Sequence, residues 1–225
     1  MPMRQSTGKC LLCNSILNKS GMLKHLKGCM MKNIRADKQS DSQQTRNEKF
    51  FHIVVEGYGL PEYWMHLAVS DNTTLKKLDQ FLRDIWLECC GHLSAFEIEK
   101  VRYSSSPMTE YNEKNMHIKI GELLRPRITF SHEYDFGSTT MLRLTVLIEQ
   151  TDEINANPIQ ILARNEPLEI KCDNCGNIAA YVCSECGYSG KGWICEECSH
   201  SHECGEEMLL PVVNSPRVGV CGYTG

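Results

Sequence analysis

The sequence predicts an α+β protein: a central sheet with one main packed helix, in a chain order that suits a β-grasp-like arrangement, flanked by two small cysteine-rich modules. Three observations carry this. Between Phe50 and Glu149, apolar β-branched runs stand on both sides of a single stretch with helical periodicity. Ten of the 13 cysteines fall into two tight groupings near the chain ends. A length of 225 residues leaves room for one mid-sized domain and one or two small ones.

The first module is read over residues 1–35. Cys10 and Cys13 form a Cys-x-x-Cys pair, and eleven residues later His25 and Cys29 follow at His-x3-Cys spacing. Two thiolates on a tight knuckle and two ligands one helical turn apart can converge on one tetrahedral zinc, because residues four apart share a helix face. Leu17 and Met22 are placed to serve as the small core, and Gly8, Ser20 and Gly21 suit the turns. This stretch resembles the Cys/His zinc-finger family, with Cys29 in place of the last histidine. Lys19, Lys24 and Lys27 lie on or near the expected helix, where they could meet phosphates of DNA or RNA or simply keep it soluble. Residues 36–48 lack apolar periodicity and read as a flexible linker.

The central domain is read over residues 49–164. Phe50–Tyr58 and Tyr63–Val69 suit a hairpin around Gly57, Gly59 and Pro61. Ser70 to Thr74 offers N-cap side chains before Leu75, Leu78, Leu82, Ile85 and Trp86, which repeat at helical spacing to about Leu87. A strand over Ala95–Tyr103, a helical turn over Ile120–Leu124 and strands over Arg127–Tyr134 and Met141–Glu149 follow. The runs Thr74-Leu75-Lys76-Lys77-Leu78, His92-Leu93-Ser94-Ala95-Phe96 and Tyr134-Asp135-Phe136-Gly137 resemble the plasmid pRiA ORF-three-like family. The resemblance covers about residues 48–150 and implies a mobile-element setting, without implying a reaction. Ser138, Thr139 and Thr140 stand where that family continues with an acid and a tryptophan.

A catalytic use of this domain would need His92, His132 and Asp135 as an acid/base group. The better-supported reading has Tyr134 and Phe136 alternating into a core while Asp135 accepts hydrogen bonds at a strand end before Gly137. Cys89 and Cys90 are adjacent, which does not favour a shared zinc, and they read as packing residues. No catalytic or cofactor-binding residue is assigned. No grouping suits a serine recombinase or a transposase.

The last module, residues 165–208, holds the densest chemistry. Cys172/Cys175, Cys183/Cys186 and Cys195/Cys198 are three Cys-x-x-Cys pairs, followed by His200, His202 and Cys204. Two tetrahedral ions need eight ligands, and a sequential arrangement would force the last four into too short a loop. A cross-brace avoids this: Cys172, Cys175, Cys195 and Cys198 hold one ion, and Cys183, Cys186, His202 and Cys204 the other. His200 is the alternative to His202, and Cys221 is a further spare. The spacing resembles interleaved two-zinc modules of the MYND, ZZ and B-box kind. The expected content is about three zinc ions per chain, all structural, since four protein ligands leave no place for a water. Residues 209–225 read as an extended strap, in which Arg217 and Cys221 either pack on the central sheet or complete a site between modules.

Charge separates the ends. Residues 1–38 carry a balance of +7 and residues 165–225 a balance of −6, so nucleic acid suits the first and protein the second. The cysteines are roughly 6 % of the chain, too few for a disulfide scaffold. With no signal-like start and no long apolar run, they point to a reducing cytoplasm and no membrane. The expected function is that of a non-enzymatic zinc protein contacting nucleic acid. The alternatives are a protein–protein adaptor with purely structural zinc, or an enzyme using the central domain.

Overall fold

The computed structural model describes residues 6–37, 47–153 and 157–225. Strands β1 (Thr7–Cys10) and β2 (Ile16–Asn18) form a small hairpin that leads into helix α1 (Lys19–Asp37). The long strands β3 (Asn47–Gly57) and β4 (Leu60–Ser70) follow, joined by a two-residue turn in which Gly59 takes a left-handed conformation with φ +75°. Helix α2 (Leu75–Leu82) starts at Thr74, whose side-chain oxygen accepts from the Lys77 N–H at 3.3 Å. It widens into a π-type turn over Arg83–Leu87, and the chain then reverses through Gly91, φ +76°.

The single strand expected over Ala95–Tyr103 is instead a hairpin of β5 (Ser94–Ile98) and β6 (Val101–Ser104). Glu99 and Lys100 both adopt positive φ at its tip, the twist that two-residue hairpins favour. After the short β7 (Lys114–Asn115) and a single helical turn at Ile120–Glu122 come β8 (Thr129–Tyr134), β9 (Thr140–Glu153) and β10 (Ile159–Asn165). The carboxy-terminal module is built from β11 (Tyr181–Cys183), α3 (Ser184–Gly187), β12 (Trp193–Ile194), α4 (Glu196–Ser199) and β13 (Leu209–Pro211).

The result is a mixed α/β protein with one large sheet and few helices. Ten strands pair in the order β2-β1-β10-β4-β3-β9-β8-β5-β6-β7, and a second sheet runs β12-β11-β13. Among the described residues, strand pairing is antiparallel except between β6 and β7. β3, the first strand of the central domain, has antiparallel neighbours on both sides, β4 and β9. A β-grasp would need its first and last strands side by side and parallel, so that expectation is corrected.

Alternation divides the hairpin residues between two faces. Phe51, Ile53, Val55, Tyr63, Met65, Leu67 and Val69 face the main core, which α2 closes with Leu75, Leu78, Leu82 and Trp86. On the opposite face Phe50, Trp64 and Ala68 meet Met22, Leu26 and Met30 of α1, together with Leu162 and Ala163 of β10. α1 is the longest helix among the described residues, so the expectation of one main helix needs a second one beside it.

The finger is thus stitched into the central sheet. Thr7 to Cys10 pairs with β10 at Gly8↔Asn165, Lys9↔Arg164 and Cys10↔Ala163. The expected linker 36–48 begins within α1 and ends within β3, and its middle lies outside the described residues. The tail is not an extended strap beyond β13. It folds through successive turns, with Gly219 and Gly222 at positive φ, and buries Ser215, Arg217 and Tyr223 against the central domain. Among the described residues no helix is long and apolar enough to cross a membrane.

Candidate metal centres

Among the described residues, four groups of Cys and His place their ligand atoms within 4.8 Å of one another. The first is Cys10, Cys13, His25 and Cys29. The end of β1 supplies Cys10, and the knuckle after it closes through Asn14 N–H to Cys10 O at 2.8 Å and Cys10 N–H to Ser15 O at 2.9 Å. Asn14 pays for the tightness with φ +61°. One turn of α1 separates His25 from Cys29. The sulfurs of Cys10 and Cys29 are 3.9 Å apart, and Cys13 Sγ is 3.2 Å from His25 Nε2. Two sulfurs bound at about 2.3 Å to a tetrahedral zinc stand about 3.8 Å from each other, so the spacing fits an ion.

The second and third groups interleave. Cys172, Cys175, Cys195 and Cys198 form one, and Cys183, Cys186, His202 and Cys204 the other. This is the cross-brace grouping, with His202 converging and His200 outside it. The first knuckle turns at Gly176, φ +78°, with Gly176 N–H donating to Cys172 O at 2.9 Å. Asp173 Oδ2 accepts from the Trp193 N–H at 2.9 Å, which ties that knuckle to the strand leading to Cys195. Cys175 and Cys195 are 3.5 Å apart, Cys186 and Cys204 3.6 Å, and Cys186 lies 3.7 Å from His202 Nε2.

The thiols of these groups are uneven acids. Hydrogen bonds from Ser15 lower Cys13 to about 6. Burial works against ionisation of Cys172 and Cys183, yet backbone N–H groups of the knuckles outweigh it and bring them to about 6 and about 7. Burial pushes Cys29 up to about 12, and bonding to a neighbouring sulfur does the same for Cys198 and Cys204. Each of these three groups thus sets a thiol of lowered pKa beside one of raised pKa, and a bound cation would favour the thiolate form of both.

A fourth group was not foreseen: Cys89, Cys90, His92 and Cys221. Cys89 and Cys90 sit in a bend directly after the π-type turn, and although adjacent their sulfurs lie 3.5 Å apart. The Cys-Gly-His run was the available signal. Its last member comes from the tail, which no local pattern connects to it.

The acid/base trio that a catalytic use would need does not assemble. His132 is fully buried and bonds through Nε2 to Asp79 Oδ1 at 2.7 Å, beneath α2. Asp135 faces His92 at 3.6 Å and bonds to Arg217 Nη2 at 2.7 Å. Gly137 and Ser138 N–H groups donate to its other oxygen at 3.0 and 3.2 Å. The alternation expected through this strand end fails at one place: Tyr134 is buried but Phe136 is 42 % exposed. The cause is Asp135, whose φ of +64° ends the pleat. Arg102 instead stacks over the Phe136 ring.

Of the three lysines proposed for nucleic acid, Lys24 and Lys27 are exposed. Lys19 is engaged within the protein, where it pairs with Glu56 and donates to Pro61 O at 3.2 Å. That use follows from docking α1 on the sheet, and it sets Lys19 apart from the exposed Lys24 and Lys27.

No family model matches the chain, and no curated protein is significantly similar to it. Among solved structures, a protein of unknown function from Methanosarcina mazei Go1 is similar over 53 % of this chain and 70 % of its own, with 16 % identity and a TM-score of 0.46.

Proposed function

We propose that this is a structural zinc protein that acts by binding rather than by metal catalysis. Three ions are held by Cys10/Cys13/His25/Cys29, Cys172/Cys175/Cys195/Cys198 and Cys183/Cys186/His202/Cys204. The observation that supports this is the interleaved convergence of eight ligands in the carboxy-terminal module, at the spacing of tetrahedral edges. With four protein ligands per ion, zinc supplies cross-linking and no open coordination position.

Metal content of the purified chain and of single-ligand variants tests this. Cys13→Ser should remove one zinc. Cys175→Ser and Cys204→Ser should each remove one or two, because the cross-braced sites share one fold. A variant that keeps the full content overturns its site.

A narrower reading concerns the partner. Lys24 and Lys27 project from α1 into solvent, which favours contact with DNA or RNA phosphates, in keeping with the mobile-element setting that the family resemblance implies. Binding to duplex DNA or single-stranded RNA should weaken steeply with salt and be lost in K24E/K27E. No binding at low salt would leave the adaptor reading, with protein engaged by the acidic carboxy-terminal module, where Tyr188 is 93 % exposed.

A further inference from the structure

The fourth Cys/His group differs from the others in joining segments 129 residues apart in the chain. Cys89, Cys90 and His92 follow the turn that ends α2, while Cys221 arrives from the folded tail. Cys90 Sγ lies 2.9 Å from His92 Nε2 and 3.8 Å from Cys221 Sγ, and His92 Nε2 is 3.2 Å from Cys221 Sγ. We propose that Cys89, Cys90, His92 and Cys221 form a fourth zinc site, which fastens the C-terminal tail, and through it the cross-braced module, to the central sheet.

Three lines of geometry carry this. The sulfur separations, 3.5 and 3.8 Å, fall in the 3.5–3.9 Å range of the other three groups and near the edge of a zinc tetrahedron, far beyond the roughly 2.05 Å of a disulfide. Three thiols and an imidazole are a soft, tetrahedral donor set, which selects zinc over oxygen-seeking cations.

The surroundings are also organised about the group. Arg217 is fully buried and turns its Nη2 toward Cys89 Sγ at 3.4 Å while holding Asp135 Oδ2 at 2.7 Å. Its other terminal nitrogen donates to Thr140 Oγ1 at 2.9 Å and Ser138 O at 3.1 Å. A cation donating to a ligand sulfur is the outer support that orients metal thiolates, and a zinc with three thiolates carries the net negative charge that Arg217 faces.

The backbone supplies the third line. Cys221 holds φ +50°, a conformation that a side-chain-bearing residue adopts at a cost unless something holds it. In the tail that pose aims its sulfur at Cys90 and His92. Two residues earlier, the tail passes so close to β11 that a Cβ on Gly219 would meet Val182 Cγ1 at 3.1 Å. One ion at Cys221 therefore holds a segment wedged between the two sheets. It also fixes one wall of the cleft of about 800 Å³ formed there by Ser138, Thr139, Trp193 and Cys221.

The test is zinc content of the full-length chain, prepared under reducing conditions, by native mass spectrometry. Wild type should carry four ions, and Cys221→Ser three. Cys90 and Cys221 are both exposed, so neither serine should disturb a core, and Cys90→Ser provides an independent second variant. Amide exchange at residues 214–223 should rise at least tenfold in both variants, while protection in β3 and β4 stays unchanged. Equal zinc content in wild type and both variants overturns the site, as does a Cys90–Cys221 disulfide in the reduced preparation. This outcome is separate from the three-ion reading. Loss of one ion on Cys221→Ser with no loss on Cys13→Ser or Cys175→Ser would sink that reading and leave this one standing.

Discussion

The two ends of the chain each gather ligands around a point, but they are held up by different means. The finger borrows a core. β1 is paired on both sides, by β2 and by β10, and Met22, Leu26 and Met30 of α1 share a buried cluster with Phe50, Trp64 and Ala68 of the central hairpin. The carboxy-terminal module has two helices of four residues and strands of two or three, with Ile170, Ala179, Val182 and Ile194 as its few buried apolar side chains besides cysteine. A unit of that size cannot bury enough surface to stand alone. The same donor chemistry thus does unequal work: in the finger an ion would add to packing, and in the module it would replace packing.

Chelation should expose that inequality most strongly. Structural zinc contributes on the order of 10–16 kcal/mol per site in small fingers, more than the module's own apolar contacts can supply. Stripping metal at neutral pH should abolish amide protection at Val182, in the central strand of the small sheet, and at Ala180, whose N–H donates to Ile194 O at 2.9 Å. Leu11, whose N–H donates to Leu162 O at 2.8 Å, should keep most of its protection because β1 remains paired. Simultaneous loss at both ends would show that the finger depends on metal as fully as the module does.

The parts of this design that the sequence makes readable are local. Thr74 before Leu75, Leu78 and Leu82 specifies a capped amphipathic helix, and the β-branched runs at Phe50–Tyr58 and Met141–Glu149 specify strands, because each signal is written within one turn or one pleat. The cross-brace grouping of Cys172 to Cys204 was also readable, since ligand number and loop length restrict how two tetrahedra can share eight side chains. Pairing of β1 with β10 was not, because Thr7–Cys10 and Ala163–Asn165 meet across more than 150 residues with no shared pattern. Met22 was legible as buried but not as part of a shared core, since a finger of this size could have used it internally. Cys221 carries no mark of its partners Cys90 and His92, and Phe136 faces solvent only because Asp135 leaves the strand conformation.

The finger's dependence on packing can be tested without touching a ligand. Leu26 is fully buried between α1 and the sheet, and Leu26→Ala should cost about 2–5 kcal/mol through lost burial and the cavity left behind. Gly8 sits where a Cβ would meet the Trp64 ring at 2.3 Å and Arg164 O at 2.6 Å, so Gly8→Ala must push strand and ring apart, at about 1–3 kcal/mol. Both losses should appear in urea denaturation of the central sheet, with the zinc content of the carboxy-terminal module unchanged. If Leu26→Ala left the stability of the sheet intact, α1 would be a separate finger helix and the contrast between the two ends would fall.

A smaller effect should report on the same docked surface through pH. His52 on β3 and His66 on β4 lie beneath α1, with His52 Nε2 2.9 Å from His66 Nδ1, and both are about 1 % exposed. Burial, aided by the nearby Lys27 charge, lowers His52 from 6.5 to about 4. Burial and the His52 ring lower His66 to about 3. The unfolded chain takes up protons on these rings as pH falls through 6.5, whereas the folded protein does not until about 4. Unfolding therefore draws in protons within that window, so stability is full above pH 6.5 and declines below it, by roughly 1 kcal/mol per pH unit for each ring. Zinc release in acid adds its own slope, and a difference between two chains removes it. His66→Asn, which deletes one of the two rings, should flatten the stability profile between pH 6.5 and 5 relative to wild type. Parallel profiles would mean that the rings are hydrated, and that α1 does not seal this face of the sheet.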